Sequence, residues 1–328
     1  MAAERSTRDE LLALLRAAQG ELISGTRLSR SLGLSRTAVW KQIRSLEELG
    51  YSIEAVPSRG YRLTAQPDLL RPADILEGLD TRTLGARVLC FEEIESTNTA
   101  LMELAEQGAP EGTVLIAGSQ SAGRGRMGRP WSSPPGVNLY LSVLLKPSIL
   151  PGSAPHLTFV SSLAAALALR EHCGLDARVK WPNDILVGGR KIAGLLNEMQ
   201  AETDKLKHLV LGLGINLNMR PEQFPADLRY PATSVLMEQG RAVRRLEFTR
   251  ALLEQLDGLY QSYRRDGFAP IASAWSGLCD LAGRRVQVDQ QSRLLTGDYL
   301  GLDADGALLL RLDDGSRTRI LSGDVRPC

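Results

Sequence analysis

Two apolar, strand-like runs, Thr113 to Ser119 and an alternating series at Leu139, Leu141, Val143 and Leu145, flank the stretch Gln120-Ser121-Ala122-Gly123-Arg124-Gly125-Arg126-Met127-Gly128-Arg129-Pro130-Trp131. Three arginines with no carboxylate among them resist burial, and three glycines interrupt either regular element. The chain must therefore leave a sheet here, cross a polar surface and return. Gly123, Gly125 and Gly128 let backbone N–H groups approach a ligand closely, while Arg124, Arg126 and Arg129 offer planar donor forks that suit phosphate or carboxylate. The spacing is not that of a nucleotide P-loop, because no Gly-Lys-Ser/Thr opens a helix. Nor is it the dinucleotide fingerprint, which needs a strand-to-helix turn and an acidic residue ~20 positions on. Alone, the run reads equally well as a solvated basic loop.

The surrounding pattern is strands mixed with helices. Val88 to Phe91 reads as a short strand, and after Glu95-Ser96-Thr97-Asn98 a helix runs through Ala100, Leu101, Leu104 and Ala105 to Gly108, with Ser96 or Thr97 as its cap. A buried helix is expected from Pro155 to about Cys173. Its apolar core, Phe159 to Leu169, is too short to span a bilayer. Val179 leads into Lys180-Trp181-Pro182-Asn183-Asp184, and Ile185 to Val187 turns at Gly188-Gly189 into Lys191 to Met199 as a hairpin. His208 to Leu217 is a further strand. A proline-rich loop from Met219 to Pro231 precedes a helix from Leu246 to Arg265. Strands joined by tight turns, with the helices kept in blocks, predict an antiparallel α+β sheet with helices on one face. From Leu281 a series of short strands and turns predicts a small SH3-like β-barrel without a nucleophile or ligand cluster.

The first 64 or so residues differ in kind. A capping box from Thr7 to Glu10 opens a helix with Leu11, Leu14, Leu15 and Ala18 on one face. Leu28 and Leu32 mark a second, stopped at Gly33, and Ser35 caps a third whose Val39, Ile43, Leu46 and Leu49 line one side. Its other face carries Arg36, Thr37, Trp40, Lys41 and Arg44. Alternating Tyr51, Ile53 and Ala55, a turn at Pro57 to Gly60, and Tyr61 to Leu63 then form a hairpin bearing Arg59. This resembles a winged helix-turn-helix domain that reads a major groove. The same features also fit a helical protein-interaction module with a solvated charged face. Expected boundaries are residues 1–66 for this domain, 67–277 for the central body and 278–328 for the tail.

At 328 residues the chain exceeds one typical domain, and its formal net charge of +1 makes any basic surface a local one. Cys90, Cys173, Cys279 and Cys328 are scattered without metal-ligand spacing and the three histidines add no cluster, so no metal site is expected. With no N-terminal apolar run after a basic start, a reduced cytoplasmic protein is predicted.

Five motifs taken in order make a more specific pattern: Ser96-Thr97-Asn98, the Gly123 to Trp131 loop, Lys180 to Asp184, Arg190-Lys-Ile-Ala-Gly194, and Gly212-Leu-Gly-Ile-Asn216. In order and spacing they resemble biotin–protein ligases of the bifunctional bacterial kind that also repress biotin synthesis genes, and the likeness runs over nearly the whole chain. The resemblance implies a class II synthetase-like ligase core with a mixed sheet. It implies two steps: activation of biotin by ATP with Mg²⁺ to biotinyl-adenylate, then transfer to a lysine of a biotin carboxyl carrier protein. Carried over residue by residue, it places Ser96, Thr97, Asn98, Gln120, Arg124, Gly125, Arg126 and Lys191 around biotin. Arg126, Arg129, Trp131, Asn183 and Asn216 fall on the nucleotide side. Lys191, Arg126 and Lys180 become the candidate catalytic cations, since a carboxylate approaching a polyphosphate needs its repulsion offset. Ser35, Arg36, Thr37, Trp40, Lys41, Arg44 and Arg59 would meet operator DNA, with a ligand-promoted homodimer expected. A ligase for lipoate or octanoate, and a ligand-sensing repressor without catalysis, are the competing readings.

Overall fold

The computed structural model describes residues 6–290 and 293–328. The chain forms two compact units, Met1–Leu69 and Leu70–Cys328.

In the first unit, helices α1 (Thr7–Ala17), α2 (Gly25–Leu32) and α3 (Arg36–Glu48) precede a hairpin of β1 (Ser52–Val56) and β2 (Gly60–Ala65). The cap of α1 is Ser6, not a box beginning at Thr7: its hydroxyl accepts from the Asp9 N–H at 3.3 Å and donates to the Asp9 carboxylate at 2.7 Å. The serine one residue earlier reaches the same orphan N–H groups from extended backbone. Gly33, in the left-handed conformation, makes the turn into α3, and Ser35 accepts from the Ala38 N–H at 3.1 Å. Leu11, Leu15, Leu28, Val39, Ile43 and Leu46 close a small core. The hairpin is held to it by a bridge from Ile23 to Tyr61. Gly60 allows that approach, since a Cβ there would lie 2.0 Å from the Ile23 carbonyl oxygen. The result is the expected winged helix-turn-helix.

The second unit opens with the short helix α4 (Pro72–Leu76) and is built on a seven-stranded mixed sheet. Its strands are β3 (Arg87–Ile94), β4 (Thr113–Gln120), β5 (Leu139–Leu145), β6 (Arg178–Lys180), β7 (Asp184–Val187), β8 (Arg190–Ala201) and β9 (Leu206–Ile215), in the order β3-β4-β5-β9-β8-β7-β6. Only β3 and β4 pair in parallel, because helix α5 (Thr97–Glu106) forms the crossover between them. Strand β5 is buried at every residue, not at alternate ones. It lies mid-sheet with α5 on one side and the main helical block on the other, so both its faces need apolar residues.

That block comprises α6 (His156–Cys173), α8 (Arg245–Asp266) and α9 (Phe268–Gly277), with the short α7 (Val235–Gln239) leading in. It covers one face, as expected. On the other, α5 packs Leu101 and Ala105 against Leu115, Leu144 and Val210. With its preceding turn, α6 spans Pro151–Cys173 and is long and apolar enough to cross a membrane by length and composition, longer than its apolar core suggested. Its side chains, from Leu157 to Leu169, are instead buried in the main core.

The tail forms a five-stranded antiparallel sheet from β10 (Arg285–Asp289), β11 (Leu294–Leu302), β12 (Leu308–Arg311), β13 (Arg317–Ile320) and β14 (Asp324–Pro327), ordered β13-β12-β11-β10-β14. Among the described residues no ladder joins β13 to β14, so it is an open sheet and not a closed barrel. Val286, Leu308 and Val325 share the core of the central body, which explains why the tail is not a separate unit. The Trp181 indole donates to the Gly306 carbonyl at 3.2 Å across the seam.

Candidate active site and nucleic-acid-binding face

The N-terminus of α5, the end of β4 with its glycine-arginine loop, the β6–β7 turn, the first half of β8, the end of β9, the loop 219–232 and the start of β14 surround one cavity of ≈ 650 Å³. All the residues expected around biotin or nucleotide line it: Ser96, Thr97, Asn98, Gln120, Arg124, Gly125, Arg126, Arg129, Trp131, Lys180, Asn183, Lys191 and Asn216.

At one end the polar groups are locked to one another. Ser96 caps α5. Thr97 donates both its N–H and its hydroxyl to Gln120 Oε1, at 2.9 and 3.1 Å, and the Gln120 amide nitrogen donates to Ser133 Oγ at 3.0 Å. Asn98 donates to the Leu196 carbonyl at 3.0 Å and to Glu198 at 2.8 Å, while its Oδ1 lies 2.7 Å from the Ser142 hydroxyl. Gly212 is obligatory beneath it, since a Cβ would sit 2.2 Å from Asn98 Oδ1. These side chains hold one another in place, and the Gln120 amide is used on both sides as a brace.

The loop is ordered by its own bonds. Gly125 donates to the Arg129 carbonyl at 2.7 Å, Trp131 to that of Gly123 at 2.8 Å, and Met127 takes a left-handed conformation with φ of 60°. Each arginine has a partner. Arg124 donates to Thr99 Oγ1 at 2.8 Å and approaches Glu198 at 3.4 Å, and Arg126 donates to Asn183 Oδ1 at 3.2 Å. Arg129 pairs with Asp324, to which Arg229 also donates at 2.6 Å. Burial lowers the affinity of Arg126 for its proton, with Asp324 and Asp184 opposing that effect. Burial alone would raise the Asp324 carboxyl, but the Arg129 hydrogen bond and the charges of Arg129, Arg229 and Arg126 hold it below the ordinary range.

On the opposite wall Lys191 makes a 2.6 Å ion pair with Asp184 and lies 5.3 Å from the Trp131 ring centroid. The Trp131 indole rests on Gly194 and Gly214, neighbours in the β8–β9 ladder; a Cβ at Gly214 would come within 2.5 Å of it. Its Nε1–H is buried and lacks an acceptor, leaving a donor within the cavity wall. Lys180 is buried, with its ammonium 4.4 Å above the Tyr230 ring. Burial pushes its pKa down, and Lys191 adds to that while Asp184 opposes it. Asn216 donates to the Thr233 carbonyl at 3.0 Å and accepts from Asn138 at 3.3 Å, so its amide clasps the loop that closes this wall.

Among the described residues no group of three His, Cys, Asp or Glu side chains could hold a metal by itself. A magnesium ion carried on nucleotide phosphates needs only one or two protein carboxylates. Asp184, Asp227 and Asp324 line the cavity and supply that donor type.

Glu198, Ser133, Ser142, Tyr230, Arg229 and Asp324 were not anticipated. Glu198 is visible only once β8 register turns it toward Asn98. Asp324 comes from the tail, expected to carry no nucleophile or ligand cluster, and supplies a single carboxylate to the cavity; it lies 195 residues from Arg129 in sequence, with no local motif to flag it.

In the first unit Arg36, Thr37, Trp40, Lys41, Arg44 and Arg59 are exposed, and Ser35 is the exposed cap at the start of that face. Arg44 pairs with Glu47 at 3.0 Å and lies 5.5 Å from the Trp40 ring.

Comparison with known proteins agrees with both units. Residues 90–216 match the biotin/lipoate A/B protein ligase family, residues 7–62 an HTH domain and residues 282–326 the biotin protein ligase C-terminal domain. The chain is 38% identical to the bifunctional ligase/repressor BirA of Bacillus subtilis, covering 98% of this chain and 99% of that protein. It is 36% identical to that of Escherichia coli, covering 93% and 92%. A biotin protein ligase from Aquifex aeolicus in complex with biotin and ATP superposes with a TM-score of 0.65 at 27% identity, covering 74% of this chain and all of that one. The chain belongs to the biotin–protein ligase family, in its bifunctional ligase/repressor form.

Proposed function

We propose that the cavity joins biotin to ATP and passes the activated acyl group to a lysine of a biotin carboxyl carrier protein, while the N-terminal unit represses biotin synthesis genes. The observation that carries this is the convergence of four cations, Arg124, Arg126, Lys180 and Lys191, with a rigid neutral polar end at Ser96, Thr97 and Asn98 in a single cavity. A neutral ureido ring needs fixed hydrogen-bonding partners, and an acid meeting a polyphosphate needs positive charge.

In the first step a biotin carboxylate oxygen attacks the α-phosphorus. The bond from phosphorus to the oxygen bridging to the β-phosphate breaks, and pyrophosphate leaves with that electron pair. Lys191 holds the reacting carboxylate and developing phosphoryl charge; Lys180 and Arg126 stabilise the departing phosphates. Magnesium, when bound, neutralises phosphate charge alongside them. Arg129, Asn183, Asn216 and Trp131 shape the nucleotide side. Arg124 and Gly125 lay the loop over biotin, and closure keeps water from the mixed anhydride. In the second step the carrier lysine amine attacks the acyl carbon, the carbon–oxygen bond to AMP breaks and the amine releases a proton.

Ser35, Arg36, Thr37, Trp40, Lys41, Arg44 and Arg59 contact operator DNA, and a ligand-promoted homodimer places two such helices on paired half-sites. Four cysteines without disulfides and bacterial relatives support a cytoplasmic setting. We read three functional domains, 1–66, 67–277 and 278–328. Incubation with MgATP, a biotin-carrier domain and either biotin, lipoate or octanoate, followed by intact mass measurement, tests the activity. A biotin adduct is expected; an adduct only with lipoate or octanoate would reassign the substrate, and none at all would leave a ligand-sensing repressor.

A further inference from the structure

Trp40 stands apart from the other tryptophans. Trp181 and Trp275 are 2% and 0% exposed, and Trp131 packs on the β8–β9 glycines, whereas Trp40 is 47% exposed on α3. The buried side of that helix is completed by Val39, Ile43 and Leu46, so Trp40 has no part in closing the core. The Arg44 guanidinium, which pairs with Glu47 at 3.0 Å, lies 5.5 Å from the indole centroid, so cation and ring share one patch of the helix surface.

A large apolar ring set among Arg36, Lys41 and Arg44 demands an anionic partner that also offers something apolar at the same place. Duplex DNA meets both requirements in its major groove. Phosphates line the rims, and the C5-methyl of thymine is the apolar group presented on the base edges. The indole N–H can only donate, so it suits thymine O4 as it would guanine O6 or N7 or adenine N7, and the C5-methyl is what sets thymine apart among these acceptors. The geometry points to Trp40 as the residue that reads thymine, through its methyl group, in each half-site. This rests on the assignment of α3 to DNA binding.

The test uses the full chain with biotin and MgATP, and a duplex selected from a randomised library. Each thymine is replaced in turn by deoxyuridine, which removes the methyl and leaves base pairing intact. In the wild type, one or two positions per half-site should weaken binding by about 3–5-fold each, the scale of one buried methyl group. Trp40→Ala should bind more weakly and be indifferent to the replacement, and Trp40→Phe should keep part of the sensitivity. Circular dichroism melting of both variants monitors the fold, and sensitivity retained in Trp40→Phe shows directly that the helix still docks. Selected duplexes that bind wild type equally with thymine or deoxyuridine overturn the assignment, as does equal sensitivity in Trp40→Ala. Failure to select any duplex would instead remove the DNA-binding assignment on which it rests.

Discussion

Lys191 is held by Asp184 at 2.6 Å beside the Trp131 ring, so in the proposed reaction its ammonium would be in place before the anions meet. Loss of one preorganised electrostatic stabiliser slows a reaction by about 100-fold or more. Lys191→Ala should therefore cut pyrophosphate release on biotin and MgATP by at least that factor; an unaltered rate would take Lys191 out of the chemistry. A second residue-scale consequence concerns stability. His208 is buried in β9 with its Nε2 lacking a partner, and burial, then the charge of Lys146, lowers its pKa below the ordinary 6.5. The unfolded chain thus binds a proton before the folded one does, so stability falls as pH drops from about 6.5 toward the lowered folded value. Urea midpoints measured between pH 7.5 and 5 should fall more steeply for the wild type than for His208→Gln. Parallel slopes would show that other groups set the acid sensitivity.

At the scale of elements, the β8–β9 pair is the platform on which the site is laid. Gly214 faces the Trp131 indole and a Cβ there would come within 2.5 Å of a rigid ring, so Gly214→Ala must push the ring off its platform. Overpacking of this kind costs about 1–3 kcal/mol. A lower melting temperature and a raised KM for biotin or ATP are expected together, and wild-type values for both would mean that Trp131 adjusts freely. The loop over this platform is tied down by Arg124 to Thr99 and Glu198, by Arg126 to Asn183 and by Arg129 to Asp324. Hydrogen exchange across residues 121–131 should slow when biotin and ATP are added, since the glycines then lose conformational freedom. Exchange that does not change would leave the segment as an ordinary surface loop. Most of these elements could be read from sequence because their signals are local: Ser35 and Gly33 mark helix ends, and Gly188-Gly189 marks a hairpin. What escaped was set by distant partners. The burial of β5 on both faces depends on α5 packing across the sheet, the open form of the tail on which strands fail to meet, and the roles of Asp324 and Glu198 on register. The site motifs were legible as a group, but that Gln120 and Asn216 act as braces required their partners Ser133 and Thr233.

For the whole molecule, a DNA-reading unit joined to a ligase makes physical sense if the adenylate is both intermediate and signal, because it accumulates once carrier proteins are already biotinylated. A ligand shifts an equilibrium only by its differential affinity for the two states, and the coupling is reciprocal. If the adenylate tightens DNA binding by some factor, DNA must tighten adenylate binding overall by the same factor, about 5–150-fold for couplings of ~1–3 kcal/mol. Lys41 and Arg44 are exposed on α3, and in the proposed DNA contact they would supply the salt-sensitive part of that affinity. Replacing both by alanine should weaken binding and lower the slope of log affinity against log salt by about one per lost phosphate contact. The coupling itself is measured by titrating promoter DNA of the biotin synthesis genes with and without preformed adenylate, at one salt concentration, and then titrating adenylate with and without DNA. Equal tightening in the two directions is the expected result. Identical DNA affinity with and without adenylate would sever the signal from the repressor while leaving the ligase chemistry of the cavity untouched.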